Sequence, residues 1–170
     1  MGSGTIAPWL KEYASAVPPE QAIVEVGAWL GCGTQFMARP KGELFSYDRF
    51  KASKSEVWKA KAFGVDLTVG QDTLPWVKSH LPEGITFTKG EIMNATYNGP
   101  PIGMYVDDAS KQPELWAHSM QVFEPHFAEG AILFLMDFDF APCKAQRKYA
   151  KRWTLLDRKI SGTSCAIFKC

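Results

Sequence analysis

The chemistry-bearing residues of this chain gather first around a glycine-rich turn. The segment Glu25-Val26-Gly27-Ala28-Trp29-Leu30-Gly31-Cys32-Gly33-Thr34 grows out of a short apolar run, Ala22 to Val26. Its glycines are spaced four and then two apart, the reverse of the dinucleotide fingerprint. Glycine at such a turn lets the backbone reverse sharply and bring its amides close to a ligand. The helix that follows then offers N-terminal donors for a carboxylate or phosphate. A tight turn with no ligand would use the same glycines, so the spacing alone leaves both readings open. Asp48 ends the next strand-like run, 21 positions after Gly27. An acid there can accept bonds from both hydroxyls of a ribose. It would also serve as a turn former before Arg49.

Two more acids close apolar runs: Asp107 after Met104-Tyr105-Val106, and Asp137 after Ala131 to Met136. Carboxylates at the ends of neighbouring strands repel, and a proton, a donor or a cation must relieve them. A hard divalent ion such as magnesium suits oxygen ligands, so Asp107 and Asp137 form a candidate metal pair. The doublet Asp107-Asp108 reads as such a pair or as a strand-end turn. Of the three histidines, His118 falls on a helical stretch from which its ring can reach a cleft. A packed helix histidine is its plainer reading. His80 and His126 sit near helix ends, where the dipole accounts for them. Trp29 lies inside the glycine turn, and Trp58, Trp76, Trp116 and Tyr47 are core residues or pocket walls.

The elements that must position these groups alternate between strand-like and helix-like, which predicts an α/β layered fold. Thr5 is placed to cap a first helix carrying Ile6, Trp9, Leu10, Tyr13 and Val17 at helical spacing, stopped by Pro18-Pro19. Ala22 to Val26 reads as a buried parallel strand, and a helix through Phe36 and Met37 follows the glycine turn. Glu43 to Asp48 is the second strand. Between Arg49 and Gln71 the pattern predicts a helix around Ser55 to Ala62 and an extended piece at Val65 to Val69. This link is long enough to act as a lid. Asp72 to His80 is helical, Ile85 to Lys89 and Met104 to Asp107 are strands, and Pro113 to Phe127 is a helix. Ala131 to Asp137 is a central strand. Trp153 to Ile160 and Ser164 to Lys169, joined at Ser161-Gly162-Thr163, read as a β-hairpin.

The 170 residues suit one domain, and 46% apolar with 22% charged residues suits an ordinary globular protein. A net charge of +1 gives no support to a nucleic-acid-tracking surface. The basic run Lys144, Arg147, Lys148, Lys151 and Arg152 reads as a solvated helix face. No apolar run reaches membrane-spanning length, and no leader pattern opens the chain. Met1-Gly2-Ser3-Gly4 is set aside. Cys32, Cys143, Cys165 and Cys170 show neither CxxC nor zinc spacing, so they read as free thiols of a reducing, cytoplasmic setting.

The segment from Ile23 to Thr34 resembles the first motif of the class I S-adenosylmethionine-dependent methyltransferases. Asp48 resembles their ribose-binding acid, and Asp107 the acid of their fourth strand. Glu129-Gly130 followed by Ala131 to Asp137 resembles their glycine turn and fifth strand. The resemblance runs from about Gln21 to the C-terminus and is nearest to the small O-methyltransferases that include macrolide-sugar enzymes. It implies a three-layer Rossmann-like sandwich in a single domain spanning 1–170, with a seven-stranded, mostly parallel sheet and an antiparallel last strand. It implies that Glu25 and the turn at Gly27, Gly31 and Gly33 hold the methionine part of the cofactor, with Trp29 and Thr34 also among the cofactor-binding residues. Asp48 would hold the ribose, Glu91 would lie near the adenine, and Asp107 would face the transfer centre. Asp107, Asp137 and His118 are then the catalytic candidates, with a small-molecule or glycan hydroxyl as acceptor.

That subgroup usually carries Asp-Gly-Asp-His after the fourth strand, where this chain has Asp107-Asp108-Ala109-Ser110. Metal-dependent relatives of the catechol type place Asn where Phe138 stands. Both departures bear on magnesium and on the acceptor. A nicotinamide-dependent oxidoreductase is one alternative, disfavoured by the glycine spacing and the C-terminal hairpin. A non-catalytic cofactor-binding module is another, kept open by the missing Asp-His pair. A homo-oligomer is compatible with either.

Overall fold

The computed structural model describes residues 3–159 and 164–170. Helix α1 (Ser3–Ala16) buries Ile6, Leu10 and Ala14, one residue per turn, on a single stripe. Strand β1 (Ala22–Val26) is buried on both faces, as a continuous apolar run requires. After it come α2 (Thr34–Met37), β2 (Leu44–Asp48), α3 (Lys54–Lys61), α4 (Leu74–His80) and β3 (Ile85–Lys89). The second half runs β4 (Ile102–Asp107), α5 (Pro113–Phe123), β5 (Phe127–Met136), α6 (Lys144–Tyr149), β6 (Thr154–Lys159) and β7 (Cys165–Lys169).

The seven strands form one sheet in the order β3-β2-β1-β4-β5-β7-β6. The first five in that order are parallel, while β7 runs antiparallel to both β5 and β6. A seven-stranded, mostly parallel sheet with an antiparallel last strand is the expected architecture. Alternation along the strands sends side chains into two cores. Val24, Val26, Tyr105, Leu133 and Leu135 face α5, meeting Trp116, Met120 and Phe123. Ile23, Met104, Val106, Phe134 and Met136 face α1 and α2, meeting Ile6, Leu10 and Met37. A third cluster, including Leu30, Phe50, Ala60, Leu67 and Val77, packs α3 and α4 together beside the sheet edge.

Several expectations change in detail. Helix α1 is already under way at Ser3, so Thr5 lies inside it and is not its cap. Val65 to Val69 forms no strand; its neighbourhood is held by a single bridge between Lys51 and Asp72. Helix α3 starts at a capping box instead: the Ser53 side chain accepts from the Glu56 amide at 3.3 Å, and Glu56 accepts from the Ser53 amide at 2.6 Å. Helix α5 stops at Phe123, and a 3-10 turn, Glu124–His126, completes the stretch. Glu129-Gly130 is not a turn before β5 but lies within it. Ile102 to Met104 of β4 stands opposite Phe127 to Ile132, and Gly130 takes φ +73° in that bulge. The hairpin strands β6 and β7 are as expected, and Ser161-Gly162-Thr163 lies outside the described residues.

The order places β1 between β2 and β4, so the connections leave it in opposite directions. A crevice opens at that point, along the carboxyl ends of the strands. Register aligns those ends: Val26 sits beside Tyr47 and Asp107, and Asp107 beside Leu135.

Candidate active site at the carboxyl edge of the sheet

A cleft of about 540 Å³ opens at this edge, within the range of small-molecule sites. It draws residues from the ends of β1, β2, β3 and β5, from the loop after β4, and from α3. Of the residues singled out in the sequence, Glu25, Gly27, Trp29, Gly33, Tyr47, Asp48, Glu91, Asp108 and Asp137 line it.

Glu25 is 3% exposed and sits on the β1 face that looks toward α2. Thr34 and Ser46 donate hydroxyl bonds of 2.6 and 2.8 Å to its Oε2. Burial pushes its pKa up to about 7, against the pull of these two bonds. Thr34 is therefore not a lining residue; it acts through Glu25. Gly33 acts through Glu25 as well, since a Cβ there would lie 2.9 Å from Glu25 Oε1.

Asp48 closes β2 and braces two residues in left-handed conformation. Trp29, at φ 50°, donates its amide to Oδ2 at 2.8 Å, and Phe50, at φ 47°, donates to Oδ1 at 2.7 Å. Such backbone is costly for residues with a side chain, and the bonds to the carboxylate offset that cost. Burial raises the Asp48 pKa, with the two amides opposing it. Each carboxylate oxygen keeps a lone pair beyond the amide it already accepts. The indole N–H of Trp29 is buried with no partner among the described residues.

Gly27 and Gly31 both need positive φ, +96° and +76°. At Gly27 a Cβ would stand 3.0 Å from Ala109 and from the Asp108 carbonyl carbon, so this glycine admits the loop after β4 across the turn. Gly31 does not line the cleft. A Cβ there would come 2.7 Å from Leu81 Cδ1, so its reason is packing against the end of α4.

Asp107 and His118 are not where the sequence reading put them. Asp107 is fully buried and its carboxylate is committed to the protein. Oδ1 accepts from the amides of Ala109 and Ser110 at 3.1 and 2.7 Å, and Oδ2 accepts from the Tyr105 hydroxyl at 3.1 Å. It caps the loop after β4 and does not line the cleft. His118, half-buried on α5, does not line it either, and its Nε2 is enclosed without a partner among the described residues.

The residue the sequence reading missed is Lys111; Asp108, read with Asp107 as a metal pair or a strand-end turn, is the member of that doublet that reaches the cleft. Asp108 lines the cleft together with Asp137. Lys111 Nζ stands 3.1 Å from Asp108 Oδ1 and 3.6 Å from Asp137 Oδ2. The three-residue spacing of Asp108 and Lys111 was the available signal for an ion pair. Of the two acids expected to form a magnesium pair, Asp107 is turned inward, while Asp137 lines the cleft with the Lys111 ammonium 3.6 Å from its Oδ2. Among the described residues no group of three His, Cys, Asp or Glu side chains has metal-binding geometry.

The basic run on α6 is partly spent on the fold. Arg147 donates to the carbonyls of Phe138 and Phe140, and Arg152 pairs with Glu124 while lying 4.0 Å over the Tyr149 ring. All four cysteines are free thiols, and no described helix is long and apolar enough to cross a membrane.

No protein-family profile matches the chain, and no curated protein matches it. Solved structures do. The O-methyltransferase NovP matches over 96% of this chain and 78% of its own, at 14% identity and a TM-score of 0.65. The N-methyltransferase NodS from Bradyrhizobium japonicum WM9 matches over 98% and 95%, at 12% identity and 0.63. An rRNA methylase from Streptococcus thermophilus matches over 97% and 93%, at 13% identity and 0.62. At such identities the likeness is one of fold, and it coincides with the strand order and the antiparallel β7 described above. The chain has the fold of the class I S-adenosylmethionine-dependent methyltransferases.

Proposed function

We propose that this protein binds S-adenosylmethionine in the cleft and transfers its methyl group to a hydroxyl of a small molecule or sugar. The observation that carries this reading is the placing of Glu25 and Asp48 on adjacent strands, lining one cleft beside the glycine turn. The cofactor carries an ammonium, a ribose diol and an adenine. Glu25 Oε1 suits the ammonium, the spare lone pairs of Asp48 suit the diol, and Glu91, which also lines the cleft, is assigned to the adenine end. When bound, the cofactor supplies an electrophilic methyl on a sulfonium sulfur.

The rest of the task falls to the chain: it must align the acceptor and take one proton. Asp137 is the residue we assign to the proton, since it lines the cleft and is 43% exposed at its side chain. Asp107 shapes the loop that presents Asp108. The segment from Arg49 to Gln71 contributes Arg49, Glu56 and Lys59 to the cleft wall, which suits a cover over the acceptor. The likeness to the O-methyltransferase NovP supports a hydroxyl acceptor, while the likeness to N- and rRNA-directed enzymes names the competing acceptors to test.

Calorimetric titration with S-adenosylmethionine, S-adenosylhomocysteine and NAD is the first test. The two sulfur compounds should bind and NAD should not. Binding of NAD alone would replace this reading with the oxidoreductase one. Transfer of labelled methyl to a panel of sugar, phenol, amine and RNA acceptors then tests catalysis. Binding without transfer to any of them would leave a cofactor-binding module.

A further inference from the structure

Lys111 lies three residues beyond Asp108, on the loop that leaves β4, and its side chain is 16% exposed. Its Nζ donates to the Met136 carbonyl at 2.8 Å, besides standing 3.1 Å from Asp108 Oδ1 and 3.6 Å from Asp137 Oδ2. Of the three N–H donors of an ammonium, two are bonded here, to Asp108 and to Met136, and the Asp137 carboxylate stands beside it as an ion-pair partner. The two carboxylates are turned outward, 46% and 43% exposed, and both line the cleft. The cation is thus recessed behind the acids and held by the protein. Burial works against the Lys111 charge, but Asp108, Asp107 and Asp137 outweigh it, and its pKa lies above the ordinary lysine value.

Asp137 reaches this position because β5 ends at Met136 and Asp137 takes φ 55°, outside strand geometry. Two acids brought to one edge in this way repel unless a positive charge stands between them. A divalent ion would do so with oxygen ligands and would bring the same two loops together. Here the chain supplies the charge itself and ties the loop after β4 to the end of β5.

We infer that Lys111 is a built-in cation that takes the place of a divalent metal between Asp108 and Asp137, so that the acceptor end of the cleft is organised without one. Lys111 is a positioning residue: it orients the carboxylates and does not itself meet the acceptor. The part these carboxylates play in methyl transfer rests on the proposed function. The exclusion of a metal by the ammonium does not.

The test is a Mn²⁺ titration of the full chain without cofactor, followed by water-proton relaxation. Wild type and Lys111→Arg should show no saturable Mn²⁺ site. Lys111→Met should gain one, and adding Asp137→Asn should remove it. Two results overturn the inference: a wild-type Mn²⁺ site that disappears in Asp137→Asn, or a folded Lys111→Met that gains none. Should Lys111→Met fail to fold, the wild-type and Lys111→Arg titrations still decide, since saturable binding to either that is lost on Asp137→Asn refutes the inference. Where a transferable acceptor is found, the wild-type rate should change by less than about twofold in chelator, and a loss restored by magnesium refutes it as well. Absence of transfer to every acceptor would count against the proposed function and leave the Mn²⁺ result standing.

Discussion

Replacing Glu25 by Gln should stabilise the free protein at alkaline pH and weaken cofactor binding, two effects of opposite sign from one carboxylate. The folded-state pKa of Glu25 stands at about 7 against an ordinary 4.5. Between these values the folded protein keeps a proton that the unfolded chain has released. Stability therefore falls as pH rises through that window, and the loss is complete above about pH 7. At roughly 1.4 kcal/mol per pH unit the gap comes to about 3 kcal/mol, an upper figure for a group already holding two hydroxyl bonds. Gln keeps an oxygen for Thr34 and Ser46 and carries no charge, so it escapes this cost.

Urea denaturation at pH 5 and pH 8 reads the effect. Glu25→Gln should nearly match wild type at the lower pH and exceed it by about 1–3 kcal/mol at the higher. For S-adenosylmethionine, the loss of a charge-assisted bond to the ammonium should cost about 1.5–3 kcal/mol, or roughly tenfold to a hundredfold in Kd. A variant less stable than wild type at pH 8 would refute the argument that burial of the charge is what raises the pKa. Equal affinity in the variant would refute the ammonium assignment, whatever the stability.

Asp48→Ala should weaken S-adenosylmethionine binding by about 1.5–3 kcal/mol in calorimetry and also lower stability by about 1–3 kcal/mol, because the amides of Trp29 and Phe50 lose their acceptor. An unchanged melt would mean those two residues hold their left-handed backbone without Asp48. Gly31→Ala should destabilise by about 1–3 kcal/mol through its φ of +76° and its approach to Leu81; adding Leu81→Ala should return the steric part, and a failure to do so would assign the whole cost to backbone strain. Cofactor and acceptor together should protect the Arg49 to Gln71 segment from proteolysis, since Arg49, Glu56 and Lys59 line the cleft, and identical digestion with and without ligands would remove its covering role.

The strands were legible because each is a short run of one character between strong stops. Ile85 to Lys89 was bounded to the residue, and both hairpin strands were found. The Arg49 to Gln71 segment was less so. Its conformation depends on tertiary partners: Phe50 buries itself against Phe87, and Ser53 and Glu56 cap a helix whose mean character is polar. Gly130 was misread because a glycine marks a turn and a bulge equally well, and only pairing with β4 separates them. In the site, the glycine turn and Asp48 announced themselves by spacing. Gly31 announced itself too, and the structure sets it against Leu81.

The miss at Asp107 has a physical cause that the sequence did contain. Side chains alternate along a strand, so Asp107 shares a face with Tyr105. Tyr105 belongs to the core under α5, where Ser119 meets its hydroxyl at 2.7 Å. Strand parity thus commits Asp107 to that side, where Tyr105 and the Ala109 and Ser110 amides take up its oxygens. The first acid free of the alternation is Asp108, and it is the one at the cleft. The same rule explains the successes. Glu25 shares a face with Ile23, and Asp48 with Leu44 and Ser46, all on the α1 and α2 side. There Ser46 bonds Glu25 and the Trp29 amide reaches Asp48. Asp137 would follow Leu135 toward α5, but its left-handed backbone releases it from the strand. An acid at a strand end is therefore a site candidate only after its parity has been compared with the neighbours it would join, and here that comparison selects Asp108 over Asp107.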